Sequence, residues 1–455
     1  MAQGYLQVDV VSDANSFPVQ DADIVIARTE EPDEIIEETR TNSSGQTENL
    51  PLDAPPLELS LLPEETERPY AEYTIRITAP GFEPFVVSGT EVLADVTAIQ
   101  GIRLRPLSNA PPGEQTETVT IPDHTLYGDY LPKIAESEIK PVIETGEIVL
   151  SRVVVPQTVV VHDGVPTNAS AANYYVPYRD YIKNVASSEI YATWPRSTIV
   201  ANVLAIMSFT LNRVYTEWYR NQGYDFTITS STAYDHKWIY GRNIFESISV
   251  VVDDIFDNYL SRPGVKQPIL TQYCDGRKVR CPGWMTQWGS CELGEAGYSP
   301  IEILRNFYGD DMYINTAEQI SGIPASWPGY DLKIGATGDK VRQLQEQLDA
   351  ISSVYTAIPD ISPDGIYGPA TAEAVRKFQS IFGLPQTGVV DFATWYKIFH
   401  ICGDYKDCGI IVNEIWIESD MLPDMVTGDP CRSCHHEFRS RFLRDGKVRI
   451  NGYGE

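Results

Sequence analysis

The sequence predicts a multidomain protein with an N-terminal all-β sandwich, a central α+β domain and a C-terminal three-helix domain. Three observations carry this expectation. Residues 4–106 alternate apolar and polar side chains with period two, in short runs separated by turn clusters, as half-buried strands do. Residues 178–260 switch to helical spacing and include one segment that is apolar nearly all round. Residues 330–400 place Leu332, Val341, Leu344, Leu348, Val375, Phe378 and Trp395 at core positions of helices punctuated by glycine turns. A length of 455 residues leaves room for about three domains.

Taken in order, residues 1–108 form the predicted sandwich. Strands are expected at 5–11, 22–28, 73–77 and 97–104, with turns at Asn42-Ser43-Ser44-Gly45 and Ala79-Pro80-Gly81. Residues 109–172 are rich in Pro, Thr and acids and predict an extended connector, with one strand-like run at 148–161. The central domain, 173–322, opens with a helix from Tyr178 to about Ile190. Pro195 then suits the first turn of a second helix reaching about Tyr219. A third helix is expected over 243–260. Pro324 and Pro328 mark a linker to the three-helix domain at 329–400, and a cysteine-bearing tail occupies 401–455.

Charge excludes one class of partner. A net charge of −28 leaves no basic surface for phosphate, so no nucleic acid is expected. Thirteen Asp/Glu against two Lys/Arg in residues 1–60 read as a solvated face, because no D-x-D-x-D-G spacing offers a calcium loop. The first residues already read as a strand, without a basic n-region or cleavage site, so no secretory signal is visible. No run of 18 apolar residues occurs, so no transmembrane helix is expected.

The first central helix holds the candidate for chemistry. Tyr178, Ile182 and Val185 share an apolar face, and Glu189 is the next position on it. A carboxyl at the end of such a stripe loses water, which raises its pKa toward the range of a general acid. The alternative is a helix-terminal Glu turned to solvent.

Two resemblances sharpen this reading. Residues 362–395, SPDGIYGPATAEAVRKFQSIFGLPQTGVVDFATW, resemble the small peptidoglycan-binding domain found beside many wall hydrolases. The likeness implies peptidoglycan as partner, with Asp364, Tyr367 and Thr371 at the loop where ligand contact is expected. Further upstream, VPYRDYIKNVASSEI, IVANVLAIMSFTLNRVY, YDHKWIYGRNI, QYCDG, WMTQWGSCELGEAGYSPIEIL and FYGDD follow one another between Tyr175 and Asp311. This ordered set resembles the stage II sporulation protein D, or amidase-enhancer, family. That likeness implies a transglycosylase-like domain that cuts glycan strands, or one that stimulates an N-acetylmuramoyl-L-alanine amidase. It puts the acid/base at Glu189 and substrate contacts at Tyr240, Gln287 and Trp288; the alternative for the last three is fold-building. It also implies a cell-wall, spore-envelope or extracellular location. Alternatives to the enzyme are a silent wall-binding enhancer and a structural component of a spore layer or phage-tail-like particle. The sandwich loosely resembles carboxypeptidase-regulatory or transthyretin-like domains, which serve as spacers or docking modules.

Seven cysteines fall into two groups. Cys274 and Cys281 flank a turn and suggest a disulfide or two packed thiols in preference to zinc, where members of the sporulation family carry a His-Ser-x-Cys-Gly-Gly-type turn. In the tail, Cys402, Cys408, Cys431 and Cys434 have spacings open to disulfides or a structural zinc. No cofactor or catalytic metal is expected.

Overall fold

The computed structural model describes residues 2–64, 66–107, 116–129, 131–140, 152–321 and 327–403, and the backbone of 441–442 and 448–449. It divides into two units, Met1–Lys406 and Asp407–Glu455. In the second, 441–442 and 448–449 pair antiparallel. Cys408, Cys431, Cys434 and the side chain of Cys402 lie outside the described residues.

Eight strands begin the first unit: β1 (Ala2–Ser12), β2 (Asp23–Arg28), β3 (Ile35–Arg40), β4 (Leu50–Ala54), β5 (Ala71–Thr78), β6 (Phe85–Val92), β7 (Thr97–Leu104) and β8 (Glu117–Thr120). They form two sheets, one containing β7-β1-β4 and the other ordered β3-β2-β5-β6-β8. Alternation works as expected: Leu6, Val8 and Val10 of β1 are fully buried while Gln7, Asp9 and Val11 are less so. β1 and β7 run parallel, from Tyr5 opposite Thr97 to Ser12 opposite Leu104.

The sequence pattern missed β3, β4, β6 and β8. β3 is an edge strand exposed along most of its length, so it carries no apolar period. β6 is interrupted by Gly89, whose φ of +87° accompanies a register shift against β5; a Cβ there would lie 2.5 Å from the Ile121 carbonyl oxygen. β8 lies inside the expected connector, so that segment is partly a sheet strand.

The central region contributes β9 (Val154–Val155), β10 (Thr158–His162), β11 (Asn173–Pro177), α1 (Tyr178–Glu189), α2 (Arg196–Tyr215), β12 (Ile228–Thr229), β13 (Ile244–Phe245), α3 (Glu246–Ile255), β14 (Asn258–Ser261), β15 (Tyr273–Cys274), β16 (Met285–Thr286), α4 (Gln287–Glu295), α5 (Pro300–Tyr308), β17 (Tyr313–Thr316) and β18 (Gln319–Ile320). α2 is the hub, touching α1, α3, α4, α5 and β14. It is long and apolar enough to cross a membrane, and 83% of that stretch is buried inside the protein.

The expected third helix is shorter than the pattern suggested. Asn243 is removed from it because its side chain exchanges hydrogen bonds with the Glu91 backbone, at 3.1 Å each. Ile244 and Phe245 then pair with Ile99 and Ala98 of β7. The central region therefore supplies a strand to the N-terminal sheet. Beneath that junction Arg242 forks onto Glu91 at 2.6 and 2.5 Å, with neither side chain exposed to any extent.

The last three helices, α6 (Asp339–Ser352), α7 (Pro369–Ile381) and α8 (Phe392–Gly403), bury every core residue named from the sequence. Two buried glutamines brace the intervening loops. Gln345 accepts from Gly365 N at 2.8 Å, and Gln379 accepts from Gly388 N at 2.8 Å; each amide nitrogen donates back into its loop. This domain is fastened to the body. Phe256 packs on Phe392 and Tyr396, Arg179 donates to the Tyr396 carbonyl at 3.1 Å, and Gln46 donates to the Ile381 carbonyl at 2.8 Å.

Candidate active site

α1 ends at Glu189 because Ile190 turns to an extended conformation, φ −136° and ψ 151°. A helix end leaves carbonyls without partners. Here Arg242 donates to the Ser187 carbonyl at 2.8 Å, and Thr125 donates to the Ser188 carbonyl through both its amide and its hydroxyl. A guanidinium at this position also suits the negative end of the helix dipole. The turn that carries Glu189 is thus held by one residue of the N-terminal half and one loop of the central region.

Glu189 itself is 0% exposed. Its Oε1 accepts from the Lys237 amide at 2.6 Å and its Oε2 accepts from the Tyr273 hydroxyl. Burial raises its pKa; the Lys133 ammonium, the Tyr273 hydrogen bond and Lys237 pull the other way, and burial prevails. The structure thus places the carboxyl in the dry surroundings expected of it. It does not place it beside an open groove, because the side chain is fully enclosed.

Groups distant in sequence do the enclosing. His236 stacks on Tyr273 at 5.9 Å and 12°, and its Nδ1 meets the Tyr181 hydroxyl at 3.0 Å. Burial, then the nearby Lys133 and Arg213 charges, push the pKa of that imidazole well below its ordinary value. Asp235 accepts from Arg213 Nε at 2.7 Å, from Tyr219 at 2.6 Å and from Thr229. Lys133 reaches in from the connector, donating to the Asp235 carbonyl and lying 5.0 and 5.1 Å from the Phe209 and Tyr273 rings. Burial pushes its ammonium down to about 8.

Tyr273 and Lys133 were not singled out from sequence. Tyr273 stood in the QYCDG motif, where the neighbouring cysteine drew attention instead. Lys133 carried no pattern at all.

The remaining expected contacts divide. Tyr240 is 44% exposed and stacks on Tyr174 at 5.0 Å, so it presents a ring to solvent. Gln287 begins α4 and is fully buried, with neither amide atom hydrogen-bonded. Trp288 is enclosed by Tyr191 and Trp194, at 6.1 and 5.1 Å, and offers no free face for a sugar. Asp364 lies in its loop, accepting from Gln345 and from the Ile366 amide. Tyr367 and Thr371 correct the expectation of ligand contact. Both are buried: Tyr367 donates to the Gly388 carbonyl at 3.0 Å, and Thr371 meets Gln345 at 3.0 Å, so they serve the domain's own loops.

Cys274 and Cys281 form a disulfide, Cα–Cα 5.8 Å, and Cys291 is a buried free thiol. Among the described residues, no three His, Cys, Asp or Glu side chains converge on a metal-sized site.

Comparison with known proteins bears on one part of the chain. The family model of the peptidoglycan binding domain matches residues 337–398, so such a domain is present toward the C-terminal end. A zinc D-Ala-D-Ala carboxypeptidase of Streptomyces albus G is 37% identical over 83 residues, 18% of this chain and 30% of that enzyme. The N-acetylmuramoyl-L-alanine amidase CwlA of Bacillus subtilis (strain 168) is 44% identical over 54 residues, 11% of this chain and 18% of the amidase. The chain thus spans less than a third of the length of either enzyme. The N-terminal domain of SleB is 30% identical with a TM-score of 0.14, covering 16% of this chain and 93% of that one.

Proposed function

We propose that this protein binds peptidoglycan through residues 337–398 and remodels its glycan strands through the central region, which we read as a transglycosylase-like domain behind an N-terminal sandwich. The observation that carries the catalytic half is a fully buried Glu189 with a raised pKa, hydrogen-bonded by Tyr273. Burial of this kind favours the protonated form of the carboxyl. In a lytic transglycosylase step, Glu189 gives its proton to the glycosidic oxygen as the bond to the anomeric carbon breaks. The resulting carboxylate then takes the proton of the muramic 6-hydroxyl, whose oxygen closes on that carbon. Glu189 ends protonated and no water is consumed. One carboxyl therefore suffices, where a hydrolase needs two.

Incubation with purified peptidoglycan followed by mass spectrometry of the fragments tests this reading. Anhydro-muramic ends that vanish in Glu189→Gln support it; their absence with wild-type protein refutes it. The enclosure of Glu189 favours a second reading, a wall-binding enhancer of an N-acetylmuramoyl-L-alanine amidase. Faster amidase cleavage without anhydro ends would identify that role. Both readings place the protein at the cell wall. A structural zinc in the tail cysteines remains a proposal for metal analysis of the full chain.

A further inference from the structure

Residues 131–140 lie across the central domain with their chemistry inverted. Leu131, Ile134 and Ile139 face solvent at 53, 50 and 37% exposure, while Lys133 and Lys140 point inward at 8 and 5%. An extended segment that belonged to a core would do the reverse. This one is held by polar groups. The Ile134 amide donates to the Ala233 carbonyl at 2.7 Å, and Gln272 grips both sides, donating to the Ile134 carbonyl at 2.8 Å and accepting from the Glu136 amide at 2.9 Å. Gln267 accepts from the Lys140 amide at 2.7 Å. Glu136 forks onto Arg213 at 3.0 and 2.6 Å, and Glu138 onto Arg262 at 2.7 and 2.9 Å.

Removing the segment in thought leaves a polar channel. Its walls are the carbonyls of Ala233 and Asp235, the carboxamides of Gln267 and Gln272, and the guanidinium groups of Arg213 and Arg262. Its floor is the ring of Tyr273, whose hydroxyl holds Glu189. Donors and acceptors in a row beside an aromatic face match a chain of hydroxyl- and acetamide-bearing sugars. We infer that this channel is a glycan-strand site and that residues 131–140 are its intramolecular occupant, with Lys133 filling the position in front of Tyr273. The polymer's identity rests on the wall-remodelling reading; the channel and its occupant do not. Displacement of the segment uncovers the ring of Tyr273, whose hydroxyl holds Glu189.

The test compares the full chain with the double variant Ile134→Pro, Glu138→Ala. The first change deletes one N–H from a half-exposed residue, and the second removes the Arg262 pairing. The probe is peptide-free glycan strands from amidase-treated peptidoglycan, titrated calorimetrically. The 337–398 domain is common to both proteins, so its contribution cancels in the difference. At least tenfold tighter binding by the variant is expected, with strands protecting amides 233–235 and 270–273 from hydrogen exchange. Unchanged affinity in a variant whose segment exchanges freely overturns the inference, as does protection confined to 337–398. If the double variant is unfolded, Lys133→Met keeps the side-chain volume, removes the ammonium and is read in the same way. Tighter binding without anhydro ends would keep the channel and remove the transglycosylase reading. Anhydro ends at unchanged affinity would do the opposite.

Discussion

Replacing Glu91 by alanine should destabilise the first unit far more than an ordinary surface change. Glu91 and Arg242 are both fully buried, joined by two hydrogen bonds, and Arg242 also donates to the Ser187 carbonyl. Truncating the carboxylate leaves a guanidinium out of water with only that carbonyl to face. Breaking one partner of a buried pair costs about 3–5 kcal/mol. At about 1.4 kcal/mol per decade, that is roughly two to four orders of magnitude in the unfolding equilibrium. Urea denaturation followed by tryptophan fluorescence reads the change, because Trp194 is buried in the same region. The paired replacement Glu91→Met, Arg242→Met removes both charges and should recover most of the loss, since apolar substitutes for a buried pair are often neutral or better. A cost below about 1 kcal/mol for the single variant, the level of an exposed ion pair, would refute the claim that this pair bolts the N-terminal sheet to the end of α1.

Further outcomes follow from the same contacts. Glu189 is raised by burial, so activity that uses its protonated form should fall as pH rises through that raised pKa. Tyr273→Phe removes a hydrogen bond that favours the carboxylate, so the fall should move to higher pH; a shift to lower pH in the pH–rate profile would contradict the site geometry. The linked stability effect has the same sign. A folded-state pKa above the unfolded value gives stabilisation that is complete below the unfolded pKa and lost as pH climbs through the folded one, so Glu189→Gln should gain stability relative to wild type toward neutral pH. Gln379→Leu strips the acceptor from the buried Gly388 amide, costing about 1–3 kcal/mol, and should lower the melting temperature and the wall pull-down together. Truncation after residue 328 should weaken pull-down and also destabilise the remainder, because Phe256 loses Phe392 and Tyr396; an unchanged melting temperature would show that this packing is idle.

What could be read in the sequence was local. The period-two runs located β1, β2, β5 and β7, and the 3.6-residue spacing found α1, α2 and the last three helices with their cores. The position of Glu189 on an apolar stripe foretold its burial. What the stripe could not show was its company. Tyr273 lies 84 residues away and Lys133 arrives from a segment whose Pro-rich, acidic composition reads as linker. Such a segment is held by hydrogen bonds to carbonyls and carboxamides, and those leave no trace in hydropathy. The same holds for Asn243, which looked like a helix start until its amide was seen tied to Glu91. In the three-helix domain the reverse error arose. Tyr367 in a loop and Thr371 in the first turn of α7 carry polar groups, a surface signature, yet those groups are spent inside the loop network.

The Ile244-Phe245 addition to β7, with the Phe256 contacts to α8, has a mechanical consequence. Sheet, catalytic candidate and wall-binding domain belong to one compact unit joined by these contacts. A tethered enzyme sweeps the circle that its leash permits, whereas an enzyme built on such contacts would act as a fixed-length caliper. Each landing on the wall would address a single spot at a constant offset from the anchor, and reaching the next spot would require letting go.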